Sequence, residues 1–214
     1  MRIEKNFKIK ETIITHIKNN KKEYFIVTLI FIIGIFLGVL FMNNIEDSQF
    51  ETVKNYLNQF IQNINKAESL DYIGLIKNSI INYSILAITI WFFGTTVIGI
   101  PIVLGIILYR GFCLGYTIAA CMTILESGQG ILFVFSSIFL QNIIIIPVII
   151  ALAVSGIKLY KSIIKDRRKD NIKLEIVRHT IFSVIMLLLL CIAAVIEIMI
   201  STNILKNVSK YFIN

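Results

Sequence analysis

Arg110, Gln141, Asn142 and Glu197 stand inside long apolar runs of this chain. An ionisable group at membrane depth is costly, so it marks a pathway or a structural pair. Amides at the same depth bridge helices by hydrogen bonding. Arg110, Gln141 and Asn142 could therefore line a polar path through a membrane, or tie the helices together. Intramembrane charges usually find a partner inside the bundle. The expectation is that Arg110 is buried and bonded to Gln141, Asn142 or a backbone carbonyl. Glu197 lies near the far end of its run, where a carboxylate can reach headgroups or water. On straight helices Arg110 falls ~13 Å from one membrane face and Glu197 ~27 Å from the same face, at ~1.5 Å per residue. A direct pair between them needs tilt.

No other residues have the spacing of a reaction centre. His-Glu-x-x-His, Gly-x-Ser-x-Gly, the P-loop and the dinucleotide glycine signature are all missing from the sequence. His16 and His179 are far apart, lack metal-ligand spacing and fall at membrane edges, which reads them as interfacial polar residues. Cys113, Cys121 and Cys191 lie in apolar runs without a Cys-x-x-Cys pair and read as small packing residues. The expectation is no enzyme, no metal and no cofactor.

The elements that carry these residues follow from composition. The chain has 214 residues, 57% hydrophobic and 16% charged, against about 45–50% and about 25% in soluble domains. This is an all-α, polytopic membrane bundle. The net charge of +8 does not signal nucleic acid, because Lys and Arg gather in two blocks beside apolar spans. Residues 1–23 are basic and place Ile3, Phe7, Ile13, Ile14 and Ile17 at rough helical spacing. They suit an amphipathic helix on anionic lipid or a solvated tail, and not a cleavable signal peptide.

Spans are expected at 24–42, 79–98, 101–125, 131–157 and 179–200, each close to or longer than the ~20 residues a bilayer needs. Gly99 and Pro101 mark the break between the second and third. Glu126–Gly130 reads as a turn, and Pro147 as a kink in the fourth span. Gly34 and Gly38 form a Gly-x-x-x-Gly face. Gly111, Gly115 and Ala119 form a second face of small residues, a natural partner for the first. Whether such faces also join two copies of the chain stays open.

Residues 43–78 are too polar to span. Val53, Tyr56, Leu57, Phe60, Ile61 and Ile64 make an amphipathic stripe after a Ser48–Glu51 capping box. Ser69 is placed to cap the next helix. The stripe could cover the ends of the spans or dock a partner. Residues 158–178 form the second basic block. With both basic blocks cytoplasmic, four spans must separate them. The N-terminus is then inside, the C-terminus outside and 43–78 extracytoplasmic.

Gly99-Ile-Pro101, Arg110-Gly111, Gly115-Tyr-Thr117 and Leu140-Gln-Asn142 followed by Pro147 resemble the stage II sporulation protein M family, as do length, span count and the two basic segments. The resemblance implies a mother-cell membrane protein of endospore formation. It implies a need for the chain in forespore engulfment and in dissolving septal peptidoglycan. It also implies stage II sporulation proteins D and P as partners that cut the wall, with this chain as their anchor or organiser. Relatives often carry a histidine and a carboxylate near position 141; here amide and apolar residues stand there. A small channel or transporter using Arg110, Gln141 and Asn142 is the alternative.

Overall fold

The computed structural model describes residues 18, 20–66, 71–96, 98–125, 127–165 and 169–209. His16, Ser69 and the basic segment before Lys18 lie outside them. Helix is the only regular structure among the described residues: α1 (Lys21–Asn43), α2 (Asp47–Lys66), α3 (Tyr72–Gly94), α4 (Gly99–Ile124), α5 (Ser127–Phe133), a π segment (Val134–Phe139), α6 (Leu140–Lys165) and α7 (Lys169–Ser209). Among these residues, five stretches are long and apolar enough to cross a bilayer: Lys21–Asn43, Tyr72–Gly94, Gly99–Ile124, Asn142–Ile164 and Ile172–Ile200.

α6 is the centre of the bundle. Its spanning window is 61% buried, whereas the other four are 22–28% buried. Ile149, Leu152, Ala153 and Val154 of α6 meet Val27 and Phe31 of α1, Ile90 of α3, Val103 and Ile107 of α4, and Leu190 and Ala194 of α7. The outer helices turn Phe25, Phe36, Ile85, Phe92, Tyr109, Leu188 and Ile192 outward, as apolar lipid-facing positions should.

Several boundaries differ from the sequence expectation. α3 ends at Gly94, before Gly99 and Pro101, and the turn closes through Thr96 N–H and Oγ1 on the Phe93 carbonyl. Pro101 then sits in the first turn of α4, where a missing N–H costs nothing. A side chain at Gly99 would overlap the same Phe93 carbonyl. Asp71 caps α3 by accepting the Gly74 N–H at 2.9 Å, the role expected of Ser69. α2 begins at Asp47, so Ser48 lies inside its first turn rather than at its cap.

The turn expected at Glu126–Gly130 is mostly helix from Ser127 onward. Helix continues through the π segment into α6, whose stretch Asn142–Ile164 is long and apolar enough to span. The second basic block is also largely helical: α6 runs on to Lys165 and α7 starts at Lys169. Lys and Arg are good helix formers, so charge ends the membrane span without ending the helix.

Candidate functional site

α1 and α4 make the most extensive helix contact in the fold, and glycine is the reason. A Cβ on Gly34 would overlap the Leu108 carbonyl oxygen, and one on Gly38 the Phe112 carbonyl oxygen. From the other side, a Cβ on Gly111 would overlap the Phe31 carbonyl oxygen, and one on Gly115 that of Ile35. The two glycine faces thus meet directly, backbone on backbone. Ala119, at the next turn, packs with Met42 and Ala120.

Among the described side chains, Arg110, Asn142 and Glu197 do not bond one another. Glu197 accepts a hydrogen bond from the Tyr83 phenol at 2.7 Å, between α7 and α3, so its carboxylate is drawn into the bundle. Asn142 donates to the Ile138 carbonyl at 2.8 Å. That acceptor lies in the π segment, where the backbone ladder changes register, and the amide serves its own helix instead of bridging to Arg110. Arg110 is half-buried and makes no hydrogen bond or ion pair with another described group. The Gln141 side chain lies outside the described residues.

Val53, Leu57, Ile61 and Ile64 of α2 are turned onto the bundle. Ile61 and Ile64 join Cys121, Leu125 and Phe133 in a small core, with Leu57 against it. Val53 packs beside Met42, Ala119 and Ala120. Tyr56 and Phe60 stay outside, 73% and 42% exposed.

At the opposite end of the bundle is a polar junction that the sequence did not disclose. His179 of α7 is 3% exposed, enclosed by the helices rather than on their surface. Its Nδ1 lies 2.8 Å from Ser155 Oγ of α6. Its Nε2 faces Gly94 of α3, and a Cβ at Gly94 would come within 3.1 Å of it and 3.3 Å of Gly156 Cα. Nε2 has no hydrogen-bond partner of ordinary geometry among the described groups. One residue on, Thr180 accepts from Trp91 Nε1 at 3.1 Å. Two glycines, Gly94 and Gly156, thus admit an imidazole where three helices converge, and short polar bonds fix their register. A hydroxyl beside an imidazole is a nucleophile–base pair, which in catalysis is oriented by a third group. Here the carboxylate one turn away, Glu175, is held by Arg178 at 2.6 Å and does not orient the ring. Among the described residues no three His, Cys, Asp or Glu side chains converge as a metal site would require.

This end also gathers the basic groups. Lys161, at the end of α6, forms an ion pair with Glu23, at the start of α1. A cavity of about 130 Å³ opens between α6 and α7, lined by Ser155, Lys158, Glu175, Arg178, His179 and Phe182 among others. A second, of about 160 Å³, is almost wholly apolar and lies between Ala87–Trp91 of α3 and Thr180–Leu187 of α7. Arg110 and Asn142 line neither.

No curated protein and no solved structure matches the chain. A family model described as stage II sporulation protein M matches residues 27–202. The match runs from the first turns of α1 into α7 and takes in the glycine faces, the Tyr83–Glu197 bond and the Ser155–His179 junction. With five apolar helices and most of its length in that match, this multi-pass membrane protein belongs to the stage II sporulation protein M family.

Proposed function

We propose that the chain is a non-enzymatic membrane scaffold of endospore formation. It is needed for forespore engulfment and septal peptidoglycan dissolution, and it anchors or organises the wall hydrolases, stage II sporulation proteins D and P, at the mother-cell membrane. Family membership supports the sporulation setting. The observation that carries the scaffold reading is the split stripe of α2. Ile61 and Ile64 hold the helix to the bundle while Tyr56 and Phe60, one turn apart, remain outside. Exposed aromatics at i and i+4 on a fixed helix are the anchors of helix-in-groove recognition.

Orientation in this reading follows the positive-inside count. The Lys161–Glu23 pair supports it, because it brings the start of α1 and the end of α6 to one end. α2 packs at the other end, against Leu125 at the close of α4, and so faces the septal wall. The test is a Tyr56→Ser/Phe60→Ser double variant in sporulating cells, scored for hydrolase localisation and septal persistence. The reading expects lost recruitment at normal membrane levels of the protein. Normal localisation of the hydrolases in that variant sinks it.

A further inference from the structure

The cavity between α6 and α7 has a composition that the scaffold role does not use. Lys158 of α6 and Arg178 of α7 line it together with Ser155 and His179. Lys158 is exposed and forms no ion pair with a described residue. Arg178 gives Nη1 to Glu175, which leaves the rest of its guanidinium fork for another acceptor. Two cations against one carboxylate leave the cavity with net positive charge. The Ser155–His179 bond fixes the wall formed by α6 and α7, so the cations are carried on elements that do not need to fold around a ligand.

The size and placement narrow the ligand. By the measure in which a single water needs about 10–15 Å³, about 130 Å³ holds a tetrahedral oxyanion together with waters. A planar guanidinium next to a flexible ammonium is a donor set suited to phosphate oxygens. The cavity lies where α6 passes from the apolar core at Ile157 to the charged positions Lys158 and Lys161, the level at which headgroups meet a bundle. Basic pockets between spans at this level bind anionic headgroups.

We infer that the Lys158–Arg178 cavity binds a phosphate group, as an anionic phospholipid headgroup or as a free phosphate ester. Purified, delipidated full-length protein in neutral detergent tests it by thermal unfolding in three arms: added phosphatidylglycerol, added phosphatidylcholine, and inorganic phosphate. The variants are Lys158→Ala, which removes an exposed side chain without a described partner, and the charge-neutral pair Glu175→Gln/Arg178→Gln. Lys21→Ala/Lys173→Ala removes two exposed cations that do not line the cavity and serves as the control.

The expected result is stabilisation of the unmodified chain and of the control by phosphatidylglycerol and not by phosphatidylcholine. Lys158→Ala should weaken apparent affinity roughly tenfold, the loss of one charge-assisted contact. Protection by phosphatidylglycerol alone identifies a lipid headgroup, whereas equal protection by inorganic phosphate identifies a free phosphate ligand. The inference is overturned if phosphatidylglycerol protects Lys158→Ala as well as the unmodified chain, or if neither phosphate source protects the unmodified chain. If the Glu175→Gln/Arg178→Gln pair does not fold, Lys158→Ala alone decides.

Discussion

Tyr83 and Glu197 lie 114 positions apart and are joined by a 2.7 Å bond from phenol to carboxylate. The bond locks the middle of α3 against α7. Tyr83→Phe keeps the buried ring and deletes the donor. We expect a loss of about 0.6 to 1.7 kcal/mol, the range that interhelical hydrogen bonds show in membranes. Glu197→Gln keeps an acceptor and should cost less. A double-mutant cycle of Tyr83→Phe with Glu197→Leu, which removes the acceptor, checks the pair by thermal unfolding in detergent, and full additivity of those two changes counts against the bond.

The glycine contact predicts a sharp contrast between similar changes. Gly38→Ala places a methyl on the Phe112 carbonyl, and Gly115→Ala places one on that of Ile35. Either should separate α1 from α4 and lower the melting temperature. A Cβ at Gly105 meets nothing within 4 Å, so Gly105→Ala should be neutral or stabilising by up to about 1 kcal/mol through helix propensity. Cross-linking of cysteines placed in α1 and α4 reads the separation directly.

The α2 stripe predicts two phenotypes within a single helix. Ile61→Ser/Ile64→Ser breaks the small core with Cys121, Leu125 and Phe133. At roughly 2–5 kcal/mol for each large apolar side chain truncated in a core, membrane levels should fall several-fold. Tyr56→Ser/Phe60→Ser should leave levels unchanged. Immunoblots of membrane fractions separate the two, and equal loss in both variants would make the whole stripe structural.

Orientation is tested by thiol labelling. Gln49 and Lys173 are exposed and lie toward opposite ends, while the native cysteines sit within the spanning helices. Gln49→Cys should react with an impermeant maleimide in intact cells, and Lys173→Cys only after permeabilisation. The reverse pattern inverts the topology.

Apolar run lengths name the spanning helices in the sequence because the bilayer demand for length is local. Helix ends are not local in the same way. α7 runs for 41 residues because Lys169–Arg178 has no breaker, and charged side chains on a helix surface do not stop it. The π segment at Val134–Phe139 has no residue signature, and nothing in the sequence marks that Asn142 bonds the Ile138 carbonyl within it. Spacings of four mark the glycine faces in the sequence, but which faces meet depends on α1 and α4 running side by side. His179 was legible only as a polar residue beside a basic block. Ser155 lies 24 positions away and fits no motif with it. The pair exists because α6 and α7 return on each other, and because Gly94 and Gly156 leave room for a ring.

The placement of α6 at the bundle centre has a consequence for biogenesis. The chain is made from α1 onward, so α1, α3 and α4 enter the bilayer while the helix that fills the space among them is still unsynthesised. The glycine contact between α1 and α4 needs nothing later in the chain and can close early. Val27, Ile90, Val103 and Ile107 must wait, solvated by lipid, until Ile149 and Leu152 arrive. A nascent chain stopped before Leu140 should therefore hold a formed α1–α4 pair and an α3 free to drift from it. Quality-control proteases would meet such a half-assembled bundle in any cell that makes this protein slowly.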